Sequence, residues 1–285
     1  MFTTIISVED LRSLSTTPMV VIDCRFNLAD TEAGRTAYGV DHIPGAFYLH
    51  LDEDLSSPIT SFSGRHPLPD LNLLAQSLVS FGITDQTQVV VYDDCAGAMA
   101  ARAWWLIKCL GHEAVAVLDG GYPAWLSTSI EHSQSGHSKS SSKADALALN
   151  TVYNHLPQNT LSADQLAALL ASRQICLVDA RAAERFCGDV EPIDPVAGHI
   201  PGAVNRPLTD NIEKGLFKTP EKLREEWLCI IDSFPAEDVV HMCGSGVTAC
   251  HNLLAMDIAG LKGSKVYAGS WSEWIRDPKR PIAKD

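Results

Sequence analysis

The chain is short of positive charge, of long apolar runs and of paired cysteines, and each shortage closes off a class of function. Its 285 residues carry 22 Lys and Arg against 35 Asp and Glu, a formal net charge of -13. Nucleic-acid backbones and anionic membranes are bound through clustered Lys and Arg, so no nucleic acid and no membrane is expected as a partner. A small anionic substrate stays open, because it responds to the charges beside it rather than to the net charge. No run of 18 apolar residues occurs, and Met1 to Asp10 shows no basic leader followed by an apolar core, so the expectation is a cytoplasmic chain. The eight cysteines (Cys24, Cys95, Cys109, Cys176, Cys187, Cys229, Cys243 and Cys250) contain no Cys-x-x-Cys pair, and no metal site is expected. Without a secretion signal most of them read as reduced, buried small hydrophobes.

What is present is a set of short apolar runs alternating with helical patterns. Met19 to Ile22, Val89 to Tyr92, Ala114 to Leu118, Ile175 to Val178 and Val239-Val240 are continuous apolar stretches, which suit strands buried on both faces of a parallel sheet. Between them lie helix starts with chemical markers: Ser7 before Val8 to Leu14, Asp70 before Leu71 to Phe81, a Ser162-x-x-Gln165 capping box, and Thr219-Pro220 before a helix reaching Ile231. The pattern also repeats. Asp23-Cys24-Arg25 returns as Asp179-Ala180-Arg181, Asp41-His42-Ile43-Pro44-Gly45-Ala46 as Gly198-His199-Ile200-Pro201-Gly202-Ala203, and Asp119 to Trp125 as Ala268 to Trp274. Matched segments in one order make the chain two copies of one α/β domain, each a mainly parallel sheet flanked by helices. Residues 1–128 form the first copy and 160–285 the second. The Ser-, His- and Lys-rich stretch 129–159 has no periodicity and reads as a linker.

In such folds ligands bind at the carboxyl ends of strands, and one such end carries Cys243. The stretch His241 to Cys250 runs from a strand into a glycine loop and then, near Val247, into a helix. Glycines let successive N–H groups turn toward one point, and the helix adds its positive end, so the thiolate is favoured over the thiol. Taken alone, the loop fits a buried cysteine beside a tight turn as well as a nucleophile. In the first copy the matching position is Asp93, which cannot act through sulfur, so only the second copy is expected to be catalytic. Cys95 falls where Ser245 falls in the second loop, as a structural thiol or a redox group.

The repeat, the Asp-x-Arg strand ends, the two His-Ile-Pro-Gly-Ala segments, the loop Cys243-Gly244-Ser245-Gly246-Val247-Thr248 and the terminal Gly-Ser-Trp-Ser-Glu-Trp together resemble the tandem-domain rhodanese family of sulfurtransferases. The resemblance implies two rhodanese-like domains, a Cys243 persulfide as intermediate, no cofactor, a small anionic sulfur donor, and a thiol or cyanide acceptor, a thioredoxin-like protein being one such thiol. The neutral Gly244-Ser245 pair is similar to mercaptopyruvate-using members rather than to the Cys-Arg-Lys-Gly-Val-Thr form of thiosulfate-using ones. By that similarity Ser245 acts with His66 and Asp52 in proton transfer, the alternative for His66 being a surface-loop histidine. It also implies an arginine at Arg185 for the donor carboxylate. A second arginine, in a Glu-Pro-Arg segment, is replaced here by Ile193, and Arg206 is the candidate to compensate. Arg25, Arg102 and Arg181 are expected in structural ion pairs. A Cys-x5-Arg phosphatase is excluded by Ala249, which leaves a phosphoryl dianion without a bidentate partner. A non-enzymatic rhodanese-like binding module is disfavoured by the presence of Cys243.

Overall fold

In the computed structural model, residues 1–14, 17–128 and 159–285 are described. The linker expected at 129–159 lies outside them except for Asn159. Two compact units are present: Met1–Leu55 with Pro69–His155, and Ser56–Leu68 with Leu156–Asp285. Within the stretch 1–128, Ser56–Leu68 groups with the second unit.

The first unit is a five-stranded sheet of β1 (Ile5–Ile6), β2 (Met19–Asp23), β3 (Phe47–Tyr48), β4 (Gln88–Tyr92) and β5 (Val115–Leu118) in the order β1-β5-β4-β2-β3, every pair parallel. β4 and β5 are buried at every position, as the apolar runs Val89–Tyr92 and Val115–Leu118 require of central parallel strands. The helix Leu71–Ser80 starts where Asp70 accepts from the N–H groups of Asn72 and Leu73, a cap worth about 1 kcal/mol. Its Leu71, Leu74, Ala75 and Leu78 fall on one face and are buried.

The second unit repeats the plan with β6 (Cys176–Asp179), β7 (Val204–Asn205) and, after the antiparallel hairpin β8 (Ile212–Glu213) and β9 (Leu216–Phe217), β10 (Val239–Met242) and β11 (Lys265–Val266). Its main sheet has the parallel order β11-β10-β6-β7. The capping box at Ser162 and the Thr219 cap with Pro220 open helices Ala163–Ala171 and Pro220–Ile231. Trp227, Trp271 and Trp274 are fully buried, Trp271 and Trp274 in one cluster with Leu177, Ile200 and Met242.

The repeated Asp-x-Arg signature has a structural meaning in both units. Arg25 forms a buried pair with Asp23 at 2.6 Å and donates to the carbonyl of Asp41 at 2.7 Å; Arg181 pairs with Asp179 at 2.7 Å and donates to Gly198 at 2.8 Å. Each arginine thus ties a strand end to the start of a His-Ile-Pro-Gly-Ala segment. Arg102 donates to the carbonyl of Leu55 and lies over the Trp105 ring. No helix among the described residues is long and apolar enough to cross a membrane.

Candidate active site

Cys243 is the first residue beyond β10, and the helix Ala249–Ile258 begins six positions later, two residues after the start expected near Val247. The intervening loop is pinned from one side by the chain at 267–272. Ser270 Oγ accepts from the Cys243 N–H at 3.1 Å and donates to the carbonyl of Tyr267 at 2.9 Å. The Cys243 and Gly244 carbonyls accept from the N–H groups of Trp271 and Ser272 at 3.0 and 2.9 Å. With those groups tied outward, the loop is held as a rigid turn around the sulfur. Gly246 donates its N–H to Cys243 Sγ at 3.1 Å. It adopts φ +80°, and a Cβ there would drive into the carbonyl of Ala268, so only glycine closes this turn. Cys243 is 2% exposed.

Ser245, also buried, meets the imidazole of buried His66: Oγ and Nδ1 are 2.6 Å apart. His66 is held there by its neighbour, because the Arg65 N–H donates to Ser272 Oγ at 3.0 Å and the Arg65 guanidinium pairs with Asp194. These contacts bring Ser56–Leu68 into the second unit. His66 is therefore a buried partner of the loop serine rather than a surface-loop histidine.

Gly244 exposes the site's charge chemistry. A Cβ on it would lie 2.7 Å from Nη2 of Arg65 and 3.6 Å from Nη1 and Nη2 of Arg185. Two guanidinium groups thus stand beside the residue after the cysteine, where the loop itself supplies no charge. Arg185 holds Glu191 with Nε and Nη2 at 2.8–3.2 Å and touches Asp194 at 3.2 Å, leaving Nη1 without a hydrogen bond among the described residues. Burial acts to raise the Glu191 carboxyl pKa, but the Arg185 hydrogen bonds and the N–H groups of Asp194 and Ile193 outweigh it and bring it below the usual range.

Arg65 was not assigned a role from sequence. Its signal is its place beside His66, together with the empty arginine position at Ile193, which is 44% exposed. Arg206 is engaged otherwise: its guanidinium donates to Asn211 Oδ1 at 3.0 Å, to Glu226 at 2.8 Å and to the carbonyl of Asp210, and lies over the Trp227 ring. The short helical turn Leu208–Asn211 and the helix Pro220–Ile231 supply those partners. The compensating role expected of Arg206 is taken up structurally by this network, and the second cation beside the loop is Arg65. Asp52 belongs to the first unit, where its N–H donates to His50 Nδ1 and burial raises its carboxyl pKa. Val247 and Thr248 complete the loop, Val247 buried and Thr248 at the helix N-cap without a side-chain cap.

The corresponding loop of the first unit shows what such a turn holds. Asp93 Oδ1 accepts from the N–H groups of Cys95 and Gly97 at 2.9 Å, and Oδ2 from those of Met99 and Ala100 at 2.8 Å. Four backbone donors close on one carboxylate. The Cys95 thiol beside it is pushed upward by burial and by the Asp93 and Asp94 charges, which favours the inert thiol.

A parallel α/β sheet with a tight loop at a strand end is present here twice, the loop closing on Asp93 in the first copy and on a cysteine placed for sulfur chemistry, Cys243, in the second. The rhodanese-like domain model matches residues 7–128 and 162–277, and the chain belongs to that family, as an enzyme of sulfur transfer. It is 45% identical to the "Probable 3-mercaptopyruvate sulfurtransferase" of Pseudomonas aeruginosa, over 95% of this chain and 94% of that protein. It is 33% identical to the thiosulfate sulfurtransferase of Rattus norvegicus, over 94% of this chain and 89% of the relative. The 3-mercaptopyruvate sulfurtransferase structure from Leishmania major superposes with a TM-score of 0.78 at 27% identity, covering 95% of this chain and 74% of that one.

Proposed function

We propose that the chain takes sulfur from 3-mercaptopyruvate, holds it on Cys243 as a persulfide and passes it to a thiol or to cyanide. The observation that carries this reading is the convergence, on one turn, of the Cys243 sulfur, the Ser245–His66 pair and two guanidinium groups beside Gly244. The Cys243 thiolate attacks the donor sulfur. A sulfur–sulfur bond forms, the donor's carbon–sulfur bond breaks, and its electron pair leaves with the carbon as the enolate of pyruvate. Ser245 gives that carbon a proton and is reprotonated through His66, a general acid pair with both side chains buried. The donor's own thiol proton leaves with the acidic persulfide, so one proton is lost and one taken up. Arg185 and Arg65 hold the carboxylate and the oxygen on which negative charge grows. The acceptor then attacks the outer sulfur, the sulfur–sulfur bond breaks, and the Cys243 thiolate returns.

Asp52 is proposed, from the sequence resemblance, to assist His66, and Asp52→Asn in the same assay tests it. A dithiol protein of the thioredoxin kind fits the acceptor role, tested by turnover with a reduced dithiol protein in place of cyanide. All eight cysteines are free, which suits a reducing, cytoplasmic setting.

Thiosulfate is the second reading, favoured by the same two arginines, since a dianion could use both. Comparing kcat/KM for the two donors side by side decides it: mercaptopyruvate is expected to be the better donor. Faster turnover of thiosulfate at equal concentration would overturn the donor assignment. Intact-mass measurement after donor treatment should show one added sulfur atom on the wild type and none on Cys243→Ser.

A further inference from the structure

We infer that Asp194 is a specificity-determining residue: its carboxylate cancels the positive charge beside the sulfur loop and so selects a singly charged carboxylate donor over a dianion. This rests on the donor reading above and deepens it.

Arg65 and Arg185 stand beside Gly244, and they alone would offer a field suited to a doubly charged oxyanion. The second unit adds two carboxylates to the same cluster. Glu191 takes Arg185 through two of its nitrogens, and Asp194, with its side chain 2% exposed, pairs with both Arg65 and Arg185. Two cations and two anions leave the cluster neutral.

The two carboxylates are not equivalent. Glu191 is built into its turn by the N–H groups of Ile193 and Asp194, and it also touches Arg181. Asp194 instead bridges the two arginines that approach Gly244, and it is the acidic partner of Arg65, whose side chain is 22% exposed. Removing the Asp194 charge therefore releases a cation at the donor's place without dismantling the Glu191 turn. A neutral cluster still binds one carboxylate through hydrogen bonds from Nη1 of Arg185. A dianion, by contrast, gains from each net positive charge it meets, and here it meets none.

The test is Asp194→Asn, isosteric and uncharged, assayed with thiosulfate and with 3-mercaptopyruvate. The ratio of kcat/KM for thiosulfate to that for mercaptopyruvate should rise about tenfold, equivalent to about 1.4 kcal/mol. The gain should shrink as salt is added, since Arg65 is partly exposed, and Asp194→Glu should return the ratio toward wild type. The double variant Arg65→Gln with Asp194→Asn should do the same. A merely structural Asp194 would lower both donors alike and leave the ratio in place; that result, or a fall in the ratio, overturns the inference. Should Asp194→Asn fail to fold by circular dichroism, Arg65→Gln in the wild-type background reads the same charge in reverse. Thiosulfate should then lose about tenfold more than mercaptopyruvate, and equal losses overturn the inference. The wild-type ratio reports on the donor reading, and the change of ratio reports on Asp194, so either can fail without the other.

Discussion

Replacing Ser245 with alanine separates proton transfer from every other part of the site. The substitution removes one oxygen and opens almost no space, so neither the loop's clamp to Ser270, Trp271 and Ser272 nor the arginines beside Gly244 should move. What is lost is the 2.6 Å contact between Oγ and His66 Nδ1, made where both residues are nearly closed to water. A positioned acid is worth roughly 10²- to 10⁴-fold. His66 remains in place in the variant, so the lower part of that range applies, and kcat with mercaptopyruvate should fall about 10²- to 10³-fold, on the order of 3–4 kcal/mol. KM should stay within about threefold, because the carboxylate is held by the arginines. Thiosulfate provides the internal control. Its leaving group departs as an oxyanion and needs no proton on carbon, so its kcat should change by less than about threefold. The assay is steady-state turnover with each donor and cyanide as acceptor, read as thiocyanate, with the persulfide followed by intact mass. His66→Asn should show the same donor selectivity, and the double variant should lose no more than the worse single one. Equal losses on both donors would refute a proton-transfer role and leave Ser245 as a loop-shaping residue.

Three further outcomes follow from contacts described above. Cys95→Ser should leave turnover with either donor within about twofold of wild type, since burial and two neighbouring carboxylates keep that thiol protonated; a loss approaching that of Cys243→Ser would mean the first copy is reactive after all. Asp93→Ala strips the acceptor from four backbone donors in a buried turn, so urea denaturation should show a loss of about 3–5 kcal/mol, with Asp93→Asn losing less; a change under about 1 kcal/mol would show that the turn needs no anion. His241, fully buried with its pKa lowered by burial to about 3, must stay neutral in the folded chain, whereas unfolded it protonates near its ordinary value of about 6.5. Between those values the unfolded state binds more protons, so this contribution is fully present above about pH 6.5 and is lost as pH falls toward 3, by up to about 1.4 kcal/mol per pH unit. Urea midpoints at pH 7, 5 and 4 should therefore converge between wild type and His241→Gln as pH falls, and parallel curves would contradict it.

The layout of the fold was legible because its signals are local. Val89 to Tyr92 reads as a buried strand from its own composition, Asp70 and Ser162 announce helices through side-chain oxygens a few residues from the amides they cap, and the repeat is visible letter by letter. The setting of Cys243 at a strand end was legible for the same reason, since strand, glycine turn and helix are contiguous. What escaped was set by partners far away in sequence. Arg65 carries no mark of its own; its place comes from Asp194 and Gly244, more than a hundred residues later. Arg206 looked available because Glu226 and the Trp227 ring are brought to it only by the helix Pro220–Ile231. The helix start slipped from near Val247 to Ala249 because Thr248 offers no side-chain cap, so apolar spacing was the sole guide to the boundary.

The carboxylate of Asp93, gripped by four amides, also bears on how freely the two copies can exchange roles over generations. No single-base change turns an aspartate codon into a cysteine codon; the one-step intermediates are glycine and tyrosine. Glycine would leave the ring of donors empty, and tyrosine would force a bulky ring into a turn built around a small anion. Either intermediate must pass through a first unit with a damaged loop before a thiol could stand there. The stability of this turn thus favours the aspartate at position 93, and any stepwise route to a thiol there crosses a loop stripped of its anion.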